Sequence, residues 1–326
     1  MDLGRPRLAA VDLARGAAIL AMVVYHAAFD LSLKQLIPVL VPQSLGWTIL
    51  ARLTAGTFLA VVGISLVLAT RDGIDWGTFF RRLAFIVGGA ALVSLATWWI
   101  EPRTWVFFGI LHLIALSSVL ALPFLRLPTV VVALAAAACI ALPFIPGLRS
   151  PVFDPYGLAW IGFYAEPPVS IDFTPLFPWF GVVLAGIVAG RLILSHGQNL
   201  WRWRPDNAPA RWLMTAGRWS LVVYLVHQPI LYGLTALAVA AMPAGSGYVR
   251  GNVISQCTAT CDLSIDPECP AKCDCMISGM WGTDLIAIES MDTMTPDQQT
   301  RLNALLQQCD PQPPPLFTPV PDGPPR

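Results

Sequence analysis

Seven apolar stretches, each close to the length needed to cross a bilayer, recur along the chain, and no other feature limits its fold as strongly. They run over residues 8–31, 46–70, 83–100, 106–125, 129–146, 176–194 and 219–242. About 20 apolar residues span the hydrocarbon core as a helix, because in lipid every backbone N–H and C=O has to be satisfied within the segment itself. Composition agrees. Of the 326 residues 56% are hydrophobic and 12% charged, against about 25% charged in soluble domains. The expected fold is an all-α polytopic membrane protein, a bundle of about seven transmembrane helices. The formal net charge is zero, so the charge balance points to the lipid bilayer and not to nucleic acid.

Arg5 and Arg7 precede the first apolar run as they would in a signal peptide. Asp12 and Arg15 interrupt that run, however, and further spans follow at once, so it is taken as a retained helix. Orientation follows from Lys and Arg in the short loops. With the N-terminus cytoplasmic, Arg5, Arg7, Arg71, Arg81, Arg82, Arg126, Arg191, Arg202, Arg204, Arg211 and Arg218 lie inside, and Lys34, Arg103 and Arg149 outside. Eleven against three puts the N-terminus inside, and seven spans then put the chain beyond about Met242 outside.

Near Pro243 the composition changes, which divides the chain into a membrane domain over 1–245, a Cys-rich polar tail over 246–309 and a Pro-rich disordered terminus over 310–326. Six of the seven cysteines lie in the tail: Cys257, Cys261, Cys269, Cys273, Cys275 and Cys309. An even number of thiols in an exported segment favours disulfides. Their C-x3-C-x7-C-x3-C-x-C spacing matches no standard zinc signature, so a metal site is the weaker alternative and no metal is expected. A helical piece is predicted within 278–308, with Thr295 as its cap and Gln298 closing a capping box. Cys139, inside an Ala-rich span, is expected to be a small core residue.

The first span, "VDLARGAAILAMVVYHAAFDL", carries Asp12, Arg15, His26 and Asp30 in a setting where charge is costly. Arg15 and His26 are eleven residues apart, about three turns plus 20°, so they share one helix face about 16 Å apart along the axis. Asp12 can balance Arg15, and Asp30, one turn beyond His26, can hold that ring in one tautomer. The result is a polar stripe. Its cytoplasmic end suits a phosphorylated ligand, and its far end suits general base work. Elsewhere Arg52 lies early in the second span, and Arg81 and Arg82 open the third in "FFRRLAF", where the orientation rule alone would account for them. His112 lies toward the outer part of the fourth span, and His227 near the middle of the seventh. His196 in "SHGQN" is expected to be a solvated loop residue. Gly181, Gly186 and Gly190 let helices approach closely. The outer loop 147–175 joins Asp154, Glu166 and Asp172 to Tyr156, Trp160 and Tyr164, a pattern that fits an interfacial aromatic belt better than a sugar surface.

The first span is similar to the first helix of membrane-bound acyltransferases, in which Arg, ten intervening residues and His form a shared signature, here Arg15 to His26. With "FLAVVGISLVLA", "FFRRLAFIVGGA", "FFGILHLIALSSVLALPF", "PLFPWFGVVLAGIVAG" and "SLVVYLVHQPIL" following in order, residues 8–242 resemble bacterial relatives of the heparan-α-glucosaminide N-acetyltransferase catalytic domain. The resemblance implies an enzyme of a bacterial inner membrane that moves an acyl group, usually acetyl, from cytoplasmic acyl-CoA (acetyl-CoA) to a hydroxyl or amine of a sugar or glycan at the outer face. It implies that His26 is catalytic and that Arg15 contacts the acyl-CoA; the polar stripe and the intramembrane histidines add Asp30, to orient His26, and His112 and His227, to stabilise an oxyanion or orient the acceptor, as further catalytic candidates. Arg52, Arg81 and Arg82 are further candidates for its phosphates, although a further Arg that the wider group carries soon after its Phe-Phe cluster is absent. Two other readings stay open: a proton-coupled transporter, since intramembrane His, Arg and Asp also serve relays, and a non-catalytic scaffold presenting the tail.

Overall fold

A computed structural model describes residues 8–203, 205–241, 247–262, 266–287 and 294–310. Arg5, Arg7, Arg204, the division at 245/246 and the Pro-rich terminus beyond residue 310 lie outside the described residues. The helices, in chain order, are α1 (Ala9–Leu33), α2 (Leu45–Thr70), α3 (Trp76–Ile100), α4 (Ile110–Leu120), α5 (Thr129–Ala141), α6 (Tyr156–Ala159), α7 (Leu176–His196), α8 (Gln198–Arg202), α9 (Ala208–Arg218), α10 (Ser220–Ala240), α11 (Gly247–Ala259), α12 (Cys269–Met280) and α13 (Pro296–Cys309). No strand occurs among the described residues, and the fold is all-α.

Five of these helices, α1, α2, α3, α7 and α10, are long and apolar enough to cross a membrane. α3 starts at Trp76, ahead of the stretch marked by hydropathy alone. Its polar first turn is capped by Asp75, whose carboxylate accepts the Thr78 N–H at 3.1 Å and the Thr78 hydroxyl at 2.8 Å. The fourth and fifth apolar stretches form shorter helices. α4 has 11 residues, about 16 Å of axis against about 30 Å of hydrocarbon. Prolines explain the shortening: Pro123 and Pro128 bracket the α4–α5 connection and Pro143 lies just past α5. The backbone exposed by that break is satisfied by one side chain. The Arg191 guanidinium donates to the carbonyls of Phe124, Leu125 and Leu127 at 2.7–3.0 Å and to the Thr129 hydroxyl.

The chain divides into two compact units, residues 1–26 with 48–230, and residues 27–47 with 231–326. In the first, Leu59, Leu113, Val132, Val183, Leu184 and Ile187 form a fully buried core shared by α2, α4, α5 and α7. Glycine sets the distance between backbones there. A Cβ on Gly63 would come within 2.1 Å of the Val183 carbonyl oxygen, and one on Gly186 within 2.2 Å of the Ala60 carbonyl oxygen. In the second unit α1 ends in a left-handed turn, with Gln35 at φ 58° and the N–H groups of Gln35 and Leu36 returning to the carbonyls of Ser32 and Leu31. Tail side chains satisfy the carbonyls around that turn. Asn252 donates to Gln35, and Gln256 to both Ser32 and Ile37, at 2.9–3.1 Å.

All six tail cysteines are paired. Cys257–Cys273 and Cys261–Cys269 fasten the α11 region to α12, and Cys275–Cys309 fastens α12 to α13. The closely grouped Cys261, Cys269 and Cys273 therefore present disulfide sulfurs, not thiolates. α13 carries the Thr295/Gln298 capping box. Cys139 is free and half-buried against the core.

Two outcomes are expected in detergent. Gly186→Val forces α2 and α7 apart and lowers stability by about 1–3 kcal/mol, visible as a fall in the midpoint of thermal unfolding. Gln256→Ala removes the side-chain donor from the Ile37 carbonyl and one of two donors from the Ser32 carbonyl, and costs about 1–3 kcal/mol. An unchanged midpoint in either variant would remove the corresponding packing or capping argument.

Candidate active site

Two histidines meet inside the first unit. His26 projects from α1 and His227 from α10, with ring centroids 5.0 Å apart and planes at 63°. Tyr25 lies edge-on to His26 at 5.5 Å. His227 is 7% exposed, and its Nδ1 lies 2.6 Å from the Tyr224 carbonyl oxygen. A carbonyl oxygen only accepts, so Nδ1 carries the hydrogen and a neutral His227 has a bare lone pair at Nε2. That atom is buried with no hydrogen-bond partner among the described residues. It is an acceptor held ready beside a second imidazole.

Behind His227 stands a carboxylate. Asp172, in the loop before α7, accepts the Tyr224 hydroxyl at 3.1 Å and the Ile110 N–H at 3.2 Å, both on Oδ2, while Thr174 donates to Oδ1 at 3.3 Å. Ile110 opens α4, so the carboxylate sits at the positive end of that helix. Burial pushes the Asp172 carboxyl above its ordinary range, opposed by those hydrogen bonds and by the nearby His112. Gly109 makes the approach possible, since a Cβ there would fall 2.4 Å from Asp172 Oδ2. Neither Tyr224 nor Asp172 stands out as a partner in the sequence. Tyr224 is one position in an apolar run, and Asp172 shares its loop with two other carboxylates.

The second polar centre lies about 16 Å back along α1, at Arg15. Asp12, buried at 5% exposure, bridges Arg15 at 3.4 Å and Arg218 at 3.2 Å. Arg15 also donates to the Ser65 hydroxyl, which in turn donates to the Val61 carbonyl. Local sequence explains the convergence: Gly16 faces the Leu213 carbonyl oxygen and Gly217 the Asp12 carbonyl oxygen, so α1 and α9 touch backbone to backbone. Arg82, on α3, lines a cavity of about 90 Å³ together with Thr70, Asp75, Thr78 and Ser118.

The structure thus brings His26 to His227, and Arg15 to Asp12 and Arg218. Other candidates stand apart. His112 has both ring nitrogens engaged, Nδ1 by the Gly109 N–H at 3.2 Å and Nε2 by Ser94 at 3.1 Å. It sits at the start of α4 as a fixed part of that turn. Arg52 is exposed near the start of α2, 13 residues or about 20 Å from Ser65 and hence from Arg15. Arg81 is exposed. Asp30, 1% exposed, lies one turn beyond His26 on α1 and belongs to the second unit. His196 is exposed, and its Nδ1 lies 2.7 Å from the hydroxyl of the neighbouring Ser195. Asp154 is occupied in its own loop, accepting the N–H groups of Ala165 and Glu166.

A family model described as "Heparan-alpha-glucosaminide N-acetyltransferase, catalytic" matches residues 7–229, from the start of α1 to just past His227. Comparison with curated proteins and with solved structures returns no match. The matched segment holds four of the five membrane-length helices entire and the first half of α10, together with the His26–His227 pair and the Arg15 cluster. The chain belongs to the heparan-alpha-glucosaminide N-acetyltransferase catalytic family and is a multi-pass membrane acetyltransferase.

Proposed function

We propose that this acetyltransferase takes its acetyl group from cytoplasmic acetyl-CoA and passes it to a hydroxyl or amine of a sugar or envelope glycan at the outer face of the inner membrane. The observation that carries this reading is the His26–His227 pair with its bare Nε2, about 16 Å along α1 from a cluster of arginines. Arg15 supplies the paired donors that suit phosphate oxygens, and Arg82 adds charge from the cavity beside α3.

The pantetheine arm runs along α1 and presents the thioester to the histidines. His26 takes the proton of the acceptor O–H or N–H as its oxygen or nitrogen bonds to the acetyl carbon. The carbonyl reforms, the C–S bond breaks, and the proton passes from His26 to the departing CoA sulfur. Asp30, one turn along α1, is the carboxylate assigned to orient His26. A neutral His227, with its only N–H committed to the Tyr224 carbonyl, has none to offer an oxyanion. Its lone pair serves instead to steady the imidazolium formed on His26 or to hold the acceptor's hydrogen. His112 is left outside the reacting groups, since both its nitrogens are in use.

Two observations favour this direction of transfer. The Lys and Arg excess in the short loops favours a cytoplasmic Arg15 end of α1. The disulfide-paired tail shares a unit with the opposite end of α1, through Asn252 and Gln256, as expected for a tail in an oxidising outer compartment.

Purified protein incubated with acetyl-CoA labelled in the acetyl group tests this reading. His26→Ala is expected to lose at least about 100-fold in acetyl transfer or hydrolysis. Arg15→Lys is expected to raise the KM for acetyl-CoA about tenfold with kcat nearly intact, since a point charge replaces a planar fork. Retained turnover in His26→Ala would overturn the assignment at its centre.

A further inference from the structure

Between two interruptions, α10 carries Tyr224 and His227. Trp219 separates it from α9, and Pro229 sits within it. Proline has no N–H, so the Leu225 carbonyl loses its helical donor just where His227 needs a fixed direction. Backbone hydrogen bonding holds this segment less firmly than an unbroken helix. A side chain compensates. The Tyr224 hydroxyl ends on Asp172 Oδ2, and Asp172 is itself held from several directions.

The stretch around Asp172 is tied to the segment before α4 by the Ile171 N–H on the Thr104 carbonyl, the Thr174 N–H on the Phe108 carbonyl and the Ser170 hydroxyl on the Trp105 carbonyl. The Ile110 N–H then fixes the carboxylate. Oδ2 is thus a rigid anchor, and a residue three positions before His227 is tied to it. In a helix, residues three apart lie on neighbouring parts of one face, so fixing Tyr224 fixes the rotation that aims His227.

We infer that the Asp172–Tyr224 contact is the positioning element of the active site, pinning the rotation of α10 so that the unpartnered Nε2 of His227 stays against His26. Tyr224 and Asp172 are positioning residues: they act through His227 and touch no reacting atom. This inference rests on the proposed role of the histidine pair. It adds that the outer loop, where the sequence shows only carboxylates among aromatics, sets the catalytic geometry.

The test uses the full chain in detergent with labelled acetyl-CoA and five variants. Tyr224→Phe is expected to lower kcat 10- to 100-fold while the KM for acetyl-CoA stays within about twofold. Asp172→Ala is expected to do the same, and the double variant to lose no more than either single one, because both remove one contact. Asp172→Asn keeps an oxygen able to accept both Tyr224 and Ile110, and it is expected to retain kcat within about threefold. A merely structural contact would lower thermal stability in Tyr224→Phe and leave kcat per folded molecule unchanged. That result overturns the inference, as does a double variant whose losses multiply or an Asp172→Asn as impaired as Asp172→Ala. Since Asp172→Ala also frees the start of α4 and can fail to fold, Tyr224→Phe alone decides in that event. His227→Ala separates the two levels. If it is as active as wild type, the histidine-pair reading fails; if it is impaired while Tyr224→Phe is normal, only the positioning inference fails.

Discussion

A polar group left alone in hydrocarbon costs several kcal/mol, and the arrangement of this chain follows from avoiding that cost. Asp12 takes two arginines, one from its own helix and one from α9. Ser65 accepts from Arg15 and donates to a carbonyl one turn back. Arg191 covers the carbonyls that the prolines between α4 and α5 leave open. Few buried side-chain atoms escape this rule among the described residues, and of these His227 Nε2 alone lies beside a second histidine. An apolar protein tolerates an open acceptor where a ligand completes it.

The polar contacts depend in turn on missing side chains. Arg15 and Arg218 reach the same carboxylate because the residues next to them, Gly16 and Gly217, let α1 and α9 meet at backbone distance. Between α2 and α7, Gly63 and Gly186 do the same for the apolar core. Without a hydrophobic drive between helices in lipid, such close contacts supply the attraction. Small residues thus hold the bundle together and also set the distances at the Arg15 centre.

What the sequence could disclose was local. Hydropathy locates every membrane-length helix because the signal lies in consecutive residues, and the i, i+3 pairing of Asp12 with Arg15 needs only helical geometry. The Thr295/Gln298 capping box is legible for the same reason. Hydropathy is blind to where a helix stops, so α4 and α5 look like full spans until their prolines are weighed. Long-range partners were out of reach. Arg218 lies 206 residues from Asp12, and Tyr224 lies 52 from Asp172, separations that no periodicity encodes. An even count of tail thiols foretold disulfides, but six cysteines allow 15 pairings, and only three-dimensional proximity selects one. The commitment of both His112 nitrogens likewise depends on Ser94, which sits on another helix.

The cap on the end of α1 has a consequence for the order in which the molecule is made. Asn252 and Gln256 satisfy carbonyls that precede them by 217 to 224 residues. The turn that ends α1 therefore waits for a segment more than 200 residues further along before it has its full set of native partners, a closure of high contact order. Until then the Gln35 and Ile37 carbonyls need water or another donor, so a chain cut short of residue 252 carries an unfinished turn only a few residues beyond His26. Truncated products are thus marked at the very helix on which the chemistry depends.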